Sequence, residues 1–496
     1  MSELVVGIKH IRDDVEIQAV LGAEMSVIGL IGTAPEADAG VIPLNTNILV
    51  RTDDAAMRTA LGAAGTLADA LRGISESLGA NGSARVILRR VVEGATVPET
   101  LANLVGNEAE ETGVWGFLTA GEELGYIPRL YVVPGFTSQV MSGVTAIAIG
   151  DAGTGYEPGD VIAGTGGGGS GFTAEVATVG DNGEILTVTI TTPGFAYTSA
   201  PTLAVTSDEG EGAALTATVT AYGNPVCAVM PTILDRTNGG MIPEGPTSSR
   251  QAWLDWLELL PRSQRIFHPL AQDAKVLDAD GTIVTRPLSP YIAGLYVRRD
   301  AQFDGRPFHS VANQAMNGLV GVTPAIPFSL TQDSIGQDYI ARSGGIVVRG
   351  DSGVEASLSS GGFIFWGTDT LSEDSSYLFS HVVRGRDYIE LTQVKAIRYY
   401  LGRFNITEQT VQAIVNTMES MLSRLRADGD ILDYRVGFEA DQNSPEQLRL
   451  GHLQVVFLAE EPPVLRKITV RSRRFRQALE DLVQRLAVQL GNATGA

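Results

Sequence analysis

The sequence predicts a multidomain chain of mixed class: an α/β host region, a β-rich domain inserted into it, and a C-terminal α+β module. Three observations carry this. Short apolar strands alternate with amphipathic helices from Ser26 to Pro134. Composition shifts after Phe136 to Gly, Thr, Val and Ala, and shifts back at Asn224. Toward the C-terminus a long amphipathic helix precedes two strand patterns and a basic segment. At 496 residues the chain exceeds what one hydrophobic core holds, and several modules are expected.

Residues 1–22 read as an arm or linker. MSELVVGIKHIRDD carries acid and lysine and lacks the basic, apolar and small-residue regions of a secretory signal, which points to cytoplasmic synthesis. The host region spans 23–136 plus 224–387. Its elements are SVIGLIGTA, NILV, a helix over Thr66–Leu78, RVILRRVV, a helix over Thr112–Leu124, and RLYVVPG. Thr66 with Asp69 marks a helix start, and Leu67, Leu71, Ile74 and Leu78 recur along one face.

The insertion, 137–223, places Gly-aromatic turns before strands in GTGYEPGDVI and PGFAYTSAPTLAV, and a turn at Asp181-Asn182-Gly183. Such a module is tolerated in a surface connection. The host resumes with helices at PVCAVMPTILDR and AWLDWLELL, where Trp253 and Trp256, three apart, predict core packing. In the module 388–496, Asn405 with Glu408 predicts a helix cap. Val411, Ile414, Val415, Met418, Leu422 and Leu425 form its stripe, and Gly429 ends it. Strands follow at ILDYRVGFEA and GHLQVVFLAEE. In VLRKITVRSRR, Lys467, Thr469 and Arg471 alternate with Ile468 and Val470, which predicts a half-exposed or edge strand. Leu479, Leu482, Leu486 and Leu490 mark a final helix.

The formal charge of −21 argues against general nucleic-acid binding, which needs a basic surface to displace counterions. No apolar run reaches the roughly 18 residues of a membrane span. The single cysteine, Cys227, can form no disulfide within the chain and reads as inert core. Charge is uneven. Thr137 to Asn224 holds nine acidic residues and no Lys or Arg, whereas Arg466, Lys467, Arg471, Arg473, Arg474 and Arg476 cluster near the end. These are either solvated surfaces or a basic face that meets acidic groups on a partner.

No reaction centre assembles from the motifs. Gly164, Gly166 and Gly169 satisfy G-x-G-x-x-G, with Glu184 near the ribose-acid distance, but the following FTAEVATV reads as a strand and not as the helix that holds a pyrophosphate. GDSGV, Gly350 to Val354, offers Ser352 without a recognisable histidine and carboxylate, so a turn is the better reading. His10, His268, His309, His381 and His452 are scattered, and DADG at Asp278 to Gly281 lacks the later calcium ligands. The expectation is no catalytic residue, no metal and no cofactor.

The informative part is Pro290 to Gly318, rich in small and turn-forming residues. Ser289, Pro290, Ala293, Gly294, Asp300, Gly305, Asn313 and Gly318 fit a P-x-x-x-A-G, D, G and N-x-x-x-x-G pattern. Phe365, Trp366, Gly367, Thr368, Leu371 and Ser372 fit "yWGtrTls", and RGRDYIE and an Asn443-to-Gly451 spacing follow. With SVIGLIGTAP, LGAAGTLADAL and TGVWGFLTAGEELGYIPRLYVVPG upstream, this order resembles contractile phage tail sheath proteins, over nearly the whole chain outside the insertion. Asp369 stands where an Arg is usual, and Gly385 where a second Arg is expected.

That resemblance implies a structural protein, not an enzyme, that polymerises into stacked hexameric rings around a tail tube. It implies contact with baseplate and tail terminator proteins, and none with nucleic acid or the membrane interior. Assembly would take place in the bacterial cytoplasm and end in the virion. The C-terminal module would face the tube and the insertion outward. It further implies strand-donating terminal arms, at Leu4 to Ile11 and Val464 to Arg471, with Val5, Val6, Ile8, Ile11, Leu465, Lys467, Ile468, Val470 and Arg471 at subunit interfaces. Arg466, Arg473, Arg474 and Arg476 would face the tube or a neighbour. The alternative is a tail-associated adhesin or surface-layer protein that binds glycans on Tyr156, Phe172, Phe195 and Tyr197 of the insertion, against which stands a hairpin-core reading of the same four.

Overall fold

The computed structural model describes residues 22–80, 82–278, 280–349 and 362–491. The arm candidates Val5, Val6, Ile8 and Ile11 and the Gly350–Val354 loop lie outside them. The chain divides into two compact units, Met1–Pro462 and Pro463–Ala496.

The first unit begins with β1 (Ile28–Thr33), β2 (Asn47–Arg51), α1 (Ala55–Ala60), α2 (Leu67–Leu78), β3 (Arg85–Val91), α3 (Val97–Val105), α4 (Ala120–Leu124) and β4 (Leu130–Val132). Every residue of β1 is buried, as befits a strand covered on both faces. Thr66 precedes α2 as expected, but its Oγ1 accepts from the Thr33 N–H (3.2 Å) and does not cap the helix. The predicted helix Thr112–Leu124 is instead a 3-10 turn, Gly113–Leu118, followed by the short α4. Gly113 sits at φ +57, a conformation that no helix interior accepts.

β5 (Met141–Asp151), β6 (Val161–Thr165), β7 (Ser170–Val179), β8 (Ile185–Phe195), β9 (Thr202–Thr206) and β10 (Ala214–Tyr222) make one antiparallel sheet in the order β5-β10-β9-β6-β7-β8. Its end strands come together. The Ser142 hydroxyl donates to the Tyr197 carbonyl (2.6 Å), and the Tyr222 hydroxyl to the Gly194 carbonyl (2.6 Å). Val144, Ile162, Phe172, Val176 and Ile185 fill the interior.

α5 (Pro225–Thr237) starts at Asn224, whose side chain accepts from the Val226 and Cys227 amides and donates to the Phe136 carbonyl. The two ends of the insertion are therefore tied by one residue. β11 (Gly240–Met241) rejoins the first sheet, giving the order β11-β4-β1-β3-β2, parallel except for the antiparallel edge strand β2. One face, with Leu30, Leu88 and Val132, packs on α2; the other, with Ile31, Ile87 and Tyr131, packs on α3, α5 and α6 (Arg250–Glu258). Trp253 and Trp256 are fully buried in that second layer, and their indole N–H groups donate to Leu270 O (3.1 Å) and Thr137 O (2.9 Å).

β12 (Asp273–Leu277) and β13 (Ile283–Arg286) form a hairpin around the DADG turn, and β12 pairs onward with β15 (Gly321–Thr323); α7 (Ser289–Ala301) follows the hairpin in sequence. β14 (Gln314–Met316), β15 (Gly321–Thr323), α8 (Ile335–Ala341), β16 (Ile346–Arg349) and β17 (Phe363–Trp366) complete the middle of the chain, with β14-β17-β16 as a sheet. α9 (Ser380–Ile397) runs unbroken through Asp387 and Tyr388, where the sequence places the start of a C-terminal module. α10 (Glu408–Asp428) is capped by Thr407, which accepts from Thr410 N–H (3.2 Å); the expected cap, Asn405, lies two residues too early for its side chain to reach those amides. β18 (Tyr434–Gly437), α11 (Pro445–Arg449) and β19 (Val456–Ala459) follow, with β18 and β19 as a two-stranded sheet.

The second unit holds α12 (Gln477–Gly491). The strand expected at Val464–Arg471 is not formed. A strand needs a ladder partner, and among the described residues no strand pairs with this stretch.

Candidate assembly joints and exposed arms

The flagged segment from Pro290 is the buried centre of the first unit. Pro290, Ala293, Gly294 and Asp300 all lie on α7, which is buried on every face over Ser289–Val297. Gly294 lets α7 touch α2: a Cβ there would stand 2.8 Å from the Ile74 carbonyl oxygen and 2.8 Å from the Ser77 Cβ. The Ser77 hydroxyl donates to the Tyr291 carbonyl (2.6 Å) across the same contact. Gly305 closes the helix end by donating its N–H to Asp300 O (2.9 Å). Asn313, at φ +57, donates its N–H to Phe365 O (2.7 Å), and Gly318, at φ +79, packs against Glu76. Trp366 stacks near Phe328 (5.3 Å between ring centroids), Gly367 fits between Phe365 and His268, and the Thr368 hydroxyl donates to Asp369 (2.5 Å).

Asp300 gives the segment its polar purpose. Its carboxylate accepts two hydrogen bonds from the Arg384 guanidinium (3.0 and 2.6 Å) and one from the Ser26 hydroxyl (2.8 Å). Both charges are about 1% exposed, and the guanidinium also lies over the Tyr296 ring (4.8 Å). A bidentate, fully desolvated pair of this kind fixes geometry more than it adds net stability. The charged residues of RGRDYIE find their partners far away in the chain. Arg384 takes Asp300, Arg386 takes Glu461 (2.9 Å), and Asp387 takes Arg265. Gly385, where an Arg was expected, leaves no room for one: a Cβ would stand 2.7 Å from the Phe308 ring. Asp369, the other such position, is a buried carboxylate that accepts from Thr368.

Burial pushes the Asp387 carboxyl up to about 6 although Arg265 pulls it down. It pushes Asp430 up to about 6 against Arg306 as well. Burial holds His381 down at about 4, with its Nε2 at 3.2 Å from the Pro462 carbonyl, so the neutral ring donates there. His268 Nε2 lies 2.6 Å from the Tyr296 hydroxyl and 3.1 Å from Ser380 Oγ. All three are buried, and burial lowers His268 to about 3. The cluster is an internal polar staple with no solvent access. Nothing in sequence spacing could pair residues so far apart.

The insertion's aromatic residues do not form a platform. Tyr156, Phe172 and Tyr197 are buried in its own core, and Phe195 packs against the host layer beside Tyr222. Its charge is polarised instead. Glu157, Asp160, Asp181, Glu184, Asp208, Glu209 and Glu211 lie on loops, and Asp151 ends β5, all at the end remote from Met141 and Tyr222. There Thr154 pairs with Glu211, and the Gly155 N–H donates to Asn182 O (3.0 Å). Gly164 ends β6, and Gly166 and Gly169 lie in the turn to β7, so the glycine motif is a hairpin. Among the described residues no group of three or more His, Cys, Asp or Glu is placed to hold a metal, and no helix is long and apolar enough to cross a membrane.

In the second unit Leu465, Ile468 and Val470 are 75%, 70% and 83% exposed, and Lys467, Arg471, Arg466, Arg473, Arg474 and Arg476 are exposed beside them. α12 exposes Leu479, Leu482, Leu486 and Leu490 as well. An apolar stripe left uncovered in one chain marks a surface for another.

With the chain's centre buried around α7 and α9, its fold is the one seen in contractile sheath subunits. It is similar to the sheath of an extracellular contractile injection system solved in its contracted state, with a TM-score of 0.56 and 13% identity over 96% of this chain and 99% of that one. In sequence the chain is 22% identical over 493 residues to the tail sheath protein of Escherichia phage P2, covering 97% of this chain and 98% of that protein. It is 32% identical over 137 residues to the major tail sheath protein of Serratia phage KSP20, covering 26% of this chain and 34% of that protein. No family model matches the chain. The resemblance to contractile tail sheath proteins read from the sequence is borne out along the whole chain.

Proposed function

We propose that this chain is the subunit of a contractile tail sheath, which polymerises into stacked hexameric rings around a tail tube and shortens to drive that tube through a bacterial envelope. The observation that carries the reading is the collinear match to the phage P2 tail sheath protein from end to end. The exposed, alternating stretch Val464–Arg471 supports a strand-donating arm, since backbone hydrogen bonds to a neighbour would satisfy its N–H and C=O groups. The sheet of β18 and β19 has only two strands, a size that is marginal alone and gains from added ones.

On this reading the module around α10 faces the tube, and the acidic pole of the insertion faces outward, where like charges on neighbouring copies stand apart. The tube protein, baseplate and tail terminator are the partners, and the assembled sheath belongs to the virion after assembly in the bacterial cytoplasm. Work comes from the free-energy difference between two packings of nearly rigid subunits. Negative-stain electron microscopy of the purified chain tests the proposal. Hollow striated tubes support it; monomers or small closed oligomers at every salt concentration overturn it.

A further inference from the structure

Two stretches far apart in sequence, Gly22 to Ser26 and Ala459 to Pro462, are bonded to the same helix. The N-terminal root, Gly22 to Ser26, is gripped through its backbone: the Ala23 N–H donates to Thr392 Oγ1 (3.0 Å), Lys395 Nζ donates to Gly22 O (3.0 Å), and Arg384 Nη2 donates to Met25 O (2.9 Å). The C-terminal root, Ala459 to Pro462, is gripped by the same helix: Arg386 Nη2 donates to Ala459 O (2.6 Å) and Glu461 Oε2 (2.9 Å), and His381 Nε2 donates to Pro462 O (3.2 Å). Thr392, Lys395, Arg384, Arg386 and His381 all lie on α9. Arg384 also anchors α9 to the buried centre through Asp300 on α7.

We propose that α9 is a tie that carries tension between the two arms of each subunit, so that a pull on one neighbour is passed to the next through a single helix. The inference rests on the reading of both termini as inter-subunit arms. Three features favour it. On the N-terminal side each α9 bond falls on a main-chain atom, so the grip does not depend on the arm's side chains. The two sets overlap on the helix, since Arg384 of the N-terminal set lies between His381 and Arg386 of the C-terminal set. A pull between the roots is therefore taken up by the hydrogen-bonded helix, which is stiffer along its axis than the two-stranded sheet of β18 and β19.

The test measures how fast labelled subunits leave tubes made from the full chain. Arg386→Met removes a charge-assisted pair at the C-terminal root and should speed subunit loss about 10- to 100-fold. Thr392→Val removes one neutral acceptor at the N-terminal root and should speed it about 2- to 10-fold. Glu390→Gln, on the exposed face of the same helix, should leave the rate at the wild-type value. Circular dichroism checks that each subunit folds, and Lys395→Met, a surface change, replaces any variant that does not. Tubes of Arg386→Met and Thr392→Val that lose subunits at the wild-type rate overturn the tie. Absence of tubes from the wild type overturns the sheath reading beneath it, and the tie with it.

Discussion

Replacing Arg384 by Met strands a carboxylate at the centre of the molecule. Asp300 then loses both guanidinium bonds, at 3.0 and 2.6 Å, and keeps only the Ser26 hydroxyl, while the Met25 carbonyl loses its donor. Removing one partner of a buried pair costs about 3–5 kcal/mol. The variant should therefore be about 4 kcal/mol less stable. Hydrogen exchange of the α9 amides reads this directly: protection relative to the wild type should fall roughly 1000-fold. Pairing Asp300→Leu with Arg384→Met should restore stability to within about 1 kcal/mol, since an apolar pair needs no desolvation. A loss below tenfold in the single variant, or a double variant no more stable than the single one, would refute the claim that this ion pair is desolvated.

Three other outcomes follow from the geometry. Gly294→Ala should destabilise by up to about 2 kcal/mol in urea melts, because overpacking against the Ile74 carbonyl costs about 1–3 kcal/mol against the roughly 1 kcal/mol that Ala gains in a helix. His381 is neutral in the folded chain down to about 4, whereas an unfolded histidine binds its proton near 6.5; its contribution is present above that value and is lost as pH falls from 6.5 toward 4. Urea midpoints at pH 7 and pH 5 should show the wild type losing about 2 kcal/mol relative to His381→Gln. Truncation before Val464 should leave a folded monomer, since that segment is a separate unit, and should abolish tubes in electron microscopy.

The host strands were legible because they are apolar runs with β-branched residues, and a strand buried on both faces announces itself by composition alone. The insertion was legible from its loss of Lys and Arg and its turn glycines. Caps were less so: Thr66 and Asn405 have suitable side chains, but Thr66 bonds to Thr33 and Asn405 stands two residues too early. Such choices turn on single torsions and on which neighbour competes for the hydroxyl.

By itself the sequence determined the class of most elements and the family likeness, both of which rest on local periodicity and on residues in a fixed order. Only tertiary structure decided what the flagged residues are for. Asp300 and Arg384 are 84 residues apart, and His268 and Ser380 112, so their pairing depends on how α7 and α9 pack and not on any spacing a linear pattern holds. The same holds for Val464–Arg471. Alternation gives it the pattern of a strand, but a strand exists only where a second backbone satisfies its hydrogen bonds, and among the described residues no ladder forms there.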